Sequence, residues 1–168
     1  GMETELDKTI TEKLHGPLMH IIRNSVDHGI EPAHIRAEKG KPAHGNVKLK
    51  AYQSGSYIHL EIADDGKGID SQKLYQKALE KNLIDSGKKL SEQEKANLVF
   101  IPGLSTAGEL SEISGRGVGL DAVKSEILKL RGQIDIRTEK DTGTTISLKL
   151  PLSLSIIDTL LLQTGDMY

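Results

Sequence analysis

Two closely spaced sets of glycines constrain this chain more than any other feature: Asp64-Asp65-Gly66-Lys67-Gly68 and Gly115-Arg116-Gly117-Val118-Gly119. Glycine reaches positive φ at no steric cost and has no Cβ to hold a ligand off the backbone. Each box therefore marks a place where main chain passes close to a partner. The second box opens a helical pattern, and the first turn of a helix presents unpaired amides to anions. Together they point to a nucleotide pocket.

Upstream, the run from Leu18 to Gly29 reads as a helix on which His20, Asn24, Asp27 and His28 fall at i, i+4, i+7 and i+8 and share a polar stripe. Leu18, Ile22, Ser25, Val26 and Gly29 follow the same spacing on another face and are expected to be buried. A plainly solvated face more usually carries Lys, Glu and Arg. Asn and Asp in mid-helix cost propensity, so the stripe reads as a site. A metal site made of His20, Asp27 and His28 alone is a second reading, without an obvious partner helix.

With 168 residues the chain has room for one well-cored domain plus edges. A net charge of −2 and 3% aromatic residues leave no basic surface or stacking platform, so nucleic acid is not an expected partner. The absence of cysteine excludes disulfides, thiolate metal sites and a cysteine nucleophile. No apolar run approaches membrane length, so no membrane insertion is expected and the chain reads as cytoplasmic. Gly1 ahead of Met2 looks like an expression remnant, which suggests an excised piece of a larger protein.

The pattern predicts a charged helix over residues 3–14, a break at Gly16-Pro17, and the polar-striped helix from Pro17 to Gly29. A loop follows to Gly45. Val47, Leu49 and Ala51 then alternate as one strand, and Ile58, Leu60 and Ile62 as the next, which delivers the chain to Asp64. Residues 70–81 read as a helix, and Ser91-Glu92-Gln93-Glu94 as a capping box before a short helix to Phe100. From Pro102 to Ser114 the sequence is small, polar and aperiodic, the character of a mobile functional loop. The helix after Gly117 is expected to bury Leu120, Val123, Ile127 and Leu130 and to stop at Arg131-Gly132. Two alternating strands follow, with Ile134 and Ile136, then Ile146, Leu148 and Leu150, joined at Asp141-Thr142-Gly143. Four such strands with several helices predict an α+β fold, a two-layer α/β sandwich whose mixed, mostly antiparallel sheet is covered on one face.

No Walker loop occurs, and the dinucleotide fingerprint fails because the second glycine box follows a loop where a strand is required. The order His20-x-x-x-Asn24, Asp64-x-Gly66-x-Gly68, Gly115-x-Gly117-x-Gly119 and Gly143-Thr144-Thr145 instead resembles the Bergerat-type ATPase fold shared by gyrase, Hsp90, histidine kinases and MutL. Within that superfamily, residues 18–31, 102–106 and 114–121 are similar to the ATP-binding domain of CheA-type chemotaxis histidine kinases. The resemblance runs from about Leu14 to Pro151, and the tail to Asp158 is similar to the start of that family's regulatory domain. It implies an ATP-binding domain over 1–151 and a truncated beginning of a second domain over 152–168.

The resemblance implies specific roles. Asn24 would ligate Mg²⁺ through its amide oxygen, and Asp64 would accept the adenine amino hydrogen while Gly66 and Gly68 let the chain pass beneath the base. Gly115, Arg116, Gly117, Val118, Gly119 and Thr144 would line the phosphates, and Arg23, Asp27, His28, Lys73 and Ser105 would make secondary contacts. His20 stands where ATP-hydrolysing relatives place a water-activating glutamate, and is expected to be catalytic, with contact to the metal through water. The implied function is transfer of the γ-phosphoryl group of Mg²⁺–ATP to a histidine on a phosphotransfer domain of the same or a partner chain. A receptor-coupling protein and chemoreceptors would act through the parent protein. The alternatives are an ATP-hydrolysing switch of the gyrase or MutL type and a non-catalytic nucleotide-binding module.

Overall fold

The computed structural model describes residues 8–85, 87, 89–104 and 119–153. The segments 3–7 of the charged helix, 105–118 of the loop and second glycine box, and 154–168 of the tail lie outside the described residues.

The first helix, α1 (Lys8–Asn24), runs unbroken through Pro17, where the sequence predicts a break. A proline in a helix interior costs about 3 kcal/mol, but here its ring is buried in line with Ile10, Leu14 and Ile21. One continuous apolar stripe on both sides of Pro17 gives a burial gain that outweighs that cost. The stripe also corrects the expected face. Ile21 and Ser25 are buried, Leu18 and Ile22 are half-buried, and Val26 is 54% exposed.

Beyond Asn24 the chain widens into a π-helical turn, Ser25–Gly29, closed by the Ile30 amide donating to the Ser25 carbonyl at 2.8 Å. One extra residue in the turn rotates everything after it, so Asp27 and His28 leave the stripe that a regular helix would give them. Both are exposed. A short helix, α2 (Ala33–Glu38), occupies part of the stretch expected to be loop.

Strands β1 (Val47–Ser54) and β2 (Tyr57–Asp64) form a hairpin about Gly55, followed by α3 (Ser71–Glu80), whose Asp70 side chain caps the Lys73 amide. The capping box predicted at Ser91 is present, with Glu94 as its reciprocal partner, and starts α4 (Glu92–Asn97). A 3₁₀ turn over Leu98–Phe100 continues it. Helix α5 (Leu120–Lys129) ends as predicted, with Arg131 in the left-handed region at φ 55°. Strands β3 (Gln133–Glu139) and β4 (Gly143–Pro151) complete the chain's described part.

The sheet order is β1-β2-β4-β3 and every pairing is antiparallel, so among the described residues the sheet is wholly antiparallel instead of mixed. Leu60 and Ile62 of β2, Ile146, Leu148 and Leu150 of β4, and Ile136 of β3 face Leu14, Ile21, Leu74, Val123 and Ile127 in one aliphatic core. Helical cover lies over the β3–β4 side, where α4 and α5 pack on β3. The edge strand β1 therefore keeps its expected inward residue Leu49 56% exposed. Both central strands end beside one another, with Asp64 paired to Thr144. This places the first glycine box at an open end of the sheet.

Leu148 is 1% exposed at the centre of the core. Leu148→Ala is expected to lower the unfolding free energy by about 2–5 kcal/mol in urea titration. A loss below about 1 kcal/mol would show that this face of β4 is not the packed one.

Candidate functional site

The first glycine box is built around the Asp64 carboxylate. Its Oδ2 accepts from the buried Ser25 hydroxyl at 2.8 Å, and its Oδ1 accepts from the Gly66 amide at 3.0 Å. The π-helical turn after α1 carries Ser25 to this position, although the sequence places Ser25 only among apolar neighbours. A Cβ on Gly66 would stand 2.2 Å from the Gly29 carbonyl oxygen, and Gly68, at φ +64°, would bring one to 2.1 Å from the Glu139 carbonyl. Glycine is thus required at both positions by backbone contact. The Lys67 amide donates to the Gly29 carbonyl at 2.9 Å and closes the gap.

Adjacent aspartates have different employment. Asp65 accepts from the Asn46 amide and the Asn46 side chain, both at 2.9 Å, and faces Arg36 Nη2 at 3.1 Å. Burial pushes its pKa up, but the hydrogen bonds from Asn46 and Arg36 outweigh this and bring it down to about 2. Among the described residues Asp64 has two donors for a carboxylate with about four acceptor positions, which leaves lone pairs for a ligand. Of the two, Asp64 is the one with acceptor capacity left over.

On α1, His20 and Asn24 are half-buried and Arg23 is exposed. The His20 Nε2 atom is buried and has no hydrogen-bond partner among the described residues. Its pKa is lowered from the ordinary 6.5, first by burial and then by Arg23 and His28, against an opposite pull from Asp121. A neutral imidazole at neutral pH follows. Asp121 sits in the first turn of α5, which packs against α1 and has Gly119 as its N-cap. The polar row of α1 therefore lies near a helix N-terminus, the positive end of the helix dipole.

Thr144 is half-buried, and its hydroxyl lies 3.1 Å from that of Thr138, which accepts from the Ile69 amide at 2.8 Å. The structure thus brings together Asp64, Gly66, Gly68 and Thr144 at one end of the sheet, and separately sets His20 of α1 near Asp121 of α5; Asn24 directly precedes Ser25. It does not draw in Lys73, which is exposed on α3 and whose amide donates to the Asp70 side chain. Ser105, Gly115, Arg116, Gly117 and Val118 lie outside the described residues. No group of three His, Asp or Glu side chains could hold a metal among the described residues, so His20, Asp27 and His28 do not form a site by themselves. Sequence reasoning missed Ser25, Arg36, Lys41 and Asn46, whose contacts with the box span long separations, and Glu31, which pairs with Arg36 and Lys41 beside it.

Residues 14–154 match the family described as histidine kinase-, DNA gyrase B-, and HSP90-like ATPase. The chain is 48% identical over 166 residues to the chemotaxis protein CheA of Treponema pallidum, covering 99% of this chain and 20% of that one. It is 51% identical over 170 residues to the sensor histidine kinase CheAY of Helicobacter pylori, covering 100% of this chain and 21% of the relative. With CheA of Bacillus subtilis it shares 46% over 168 residues, or 99% and 25%. The chain thus spans a quarter or less of these relatives. Among solved structures, the nucleotide-free catalytic domain of the histidine kinase ThkA aligns with a TM-score of 0.50 and 15% identity over 88% of this chain and 68% of that chain, a likeness of fold.

The lowered pKa of Asp65 fixes a pH dependence. Its contribution to stability is complete above the ordinary 3.8 and is lost as pH falls through about 2. In urea titrations from pH 6 downward, the stability gap between wild type and Asp65→Asn is expected to shrink below pH ~4. A gap that stays constant to pH ~2 would show that Asp65 is not held as an ion pair.

Proposed function

The chain belongs to the family of histidine kinase-, DNA gyrase B- and HSP90-like ATPases, and from this we propose that it is the ATP-binding catalytic domain of a CheA-type chemotaxis histidine kinase. The observation that carries the reading is the Asp64 carboxylate, fixed by Ser25 and Gly66 with acceptor positions left over, at an open end of the sheet. Room for a further polar group nearby is supported by the buried His20 Nε2, which has no hydrogen-bond partner among the described residues.

In this reading Asp64 accepts from the adenine amino group, a contact that a ring carbonyl cannot make. Gly115 to Gly119 and the first amides of α5 hold phosphate oxygens, with Ser105, Arg23, Arg116 and His28 as further contacts. Asn24 would hold Mg²⁺ through its neutral amide oxygen, and the metal would offset phosphate charge. The acceptor is a histidine on a separate phosphotransfer domain. Its ring nitrogen lone pair forms the bond to the γ-phosphorus while the bond to the β–γ bridging oxygen breaks and ADP leaves. Such a transfer depends on alignment and charge neutralisation more than on covalent help. With its pKa lowered, His20 acts in this reading as a neutral hydrogen-bonding group, and the CheA and CheAY relatives at 46–51% identity set the reading above a gyrase-type switch.

Coupling to receptors belongs to other segments of the parent protein, and residues 152–168 begin the next domain. No helix among the described residues is long and apolar enough to cross a membrane. A cytoplasmic location is part of the proposal.

Calorimetry is expected to show Mg²⁺–ATP binding with preference over GTP, and Asp64→Asn is expected to cost about 1–3 kcal/mol of that binding. Unchanged affinity in Asp64→Asn would remove Asp64 from the site. With an isolated phosphotransfer domain and labelled ATP, His20→Ala is expected to reduce transfer about 10-fold or more while nucleotide affinity stays within about 2-fold. Full transfer activity in His20→Ala, or rapid hydrolysis by the wild-type chain alone, would overturn the kinase assignment.

A further inference from the structure

Arg36 is fully buried, at 0% exposure, although it belongs to the short helix α2 near the surface. Its Nε donates to the Pro42 carbonyl at 2.7 Å, and its Nη1 to the Asp65 carbonyl at 3.0 Å and to Glu31 at 3.3 Å. Its Nη2 lies 3.1 Å from the Asp65 carboxylate. Glu31, 6% exposed, is shared with Lys41 at 3.2 Å and Lys39 at 3.4 Å. Lys41 also donates to the Asp65 and Gly66 carbonyls at 3.0 and 2.7 Å, so the three donors of its ammonium are matched by three acceptors.

Buried ionic groups of this kind add little net stability over apolar side chains of similar volume. What an apolar replacement could not do is hold carbonyl oxygens. Arg36 and Lys41 both end on residue 65 or 66, the two positions directly after the carboxylate that reads the base. Gly66 in turn supplies one of the two donors that orient Asp64. A rotation of the peptide units at 65 and 66 would therefore turn the Asp64 carboxylate with them.

We propose that Arg36 is a positioning residue for base recognition, acting with Glu31 and Lys41 to clamp the turn after β2 so that Asp64 presents its free lone pairs in one direction. This rests on the assignment of Asp64 as the adenine acceptor. Glu31 provides the negative charge that makes burial of Arg36 and Lys41 tolerable. Arg36 contacts the Asp65 and Gly66 region and not the base, so its effect on a nucleotide is transmitted through the turn. Loss of the clamp should fall on the contact with the amino group. Hypoxanthine has no such group, and an inosine nucleotide is the matched control.

The test compares wild type with Arg36→Met, using calorimetry with ADP and IDP and amide hydrogen exchange on the nucleotide-free protein. Arg36→Met is expected to weaken ADP about 10-fold or more, to leave IDP within about 2-fold, and to speed exchange at Gly66 and Lys67 while Ile62 and Leu148 stay protected. Lys41→Met keeps the Arg36–Glu31 pair and serves if Arg36→Met does not fold; the same changes are expected at smaller size. A folded variant with the wild-type ADP to IDP ratio and unchanged exchange at Gly66 would overturn the proposal. If wild type does not distinguish ADP from IDP, the base-reading role of Asp64 fails, and Arg36 loses its proposed role in recognition. Exchange at Gly66 then still decides whether Arg36 fixes the turn.

Discussion

The Lys67 amide reaches the Gly29 carbonyl across a gap that admits no side chain at Gly66, and the whole candidate site depends on that contact. It ties the end of the α1 π-turn to the turn after β2, two segments otherwise joined by a long excursion through α2 and β1. With that distance fixed, the Ser25 hydroxyl meets Asp64 and the glycine box curls back on itself. A regular helical turn at Ser25–Gly29 would rotate Ser25's successors by roughly one residue and move Gly29 off its partner. The π-turn is the local irregularity that lets a helix end and a strand end share one carboxylate.

Charge completes what the backbone contact begins. Asp65 is consumed by Arg36 and Asn46, so the second carboxylate of the pair anchors the turn while the first stays open to a ligand. The same ionic group reaches across to the β3–β4 turn, where Lys39 pairs with Asp141. There Asp141 donates its amide to the Lys67 carbonyl at 2.7 Å, and Thr138 links the Ile69 amide to the Gly143 carbonyl. The site end of the sheet is therefore held by polar contacts, in contrast with the aliphatic core beneath it, which has no role in recognition beyond supporting β2 and β4.

Much of this was legible in the sequence where the controlling physics is local. Alternation placed β2, β3 and β4; the Ser91 capping box and the stop at Arg131 follow from end chemistry within a few residues. The glycines at 66 and 68 announced a close approach, and only the fold could show that the approach is to Gly29 and Glu139. Local reading failed where long-range contacts decide. Pro17 lies inside a helix because its ring joins a stripe set by the core, and Leu49 stays exposed because β1 is an edge. The roles of Asp64 and Asp65 could not be separated in sequence, since the difference comes from Arg36 and Asn46 far away in the chain. Ser25 looked like filler in an apolar stripe for the same reason.

The central claim is that the open end of the sheet around Asp64 holds an adenine nucleotide between the β2 turn and α1. Amide chemical-shift mapping on titration with Mg²⁺–ADP tests it most directly. The largest shifts are expected at Gly29, Gly66, Gly119 and Thr144, with Tyr57 and Leu150 at the opposite end of the strands unmoved. Shifts centred on the β1–β2 hairpin turn, or no saturable shifts at the Asp64 turn, would contradict it.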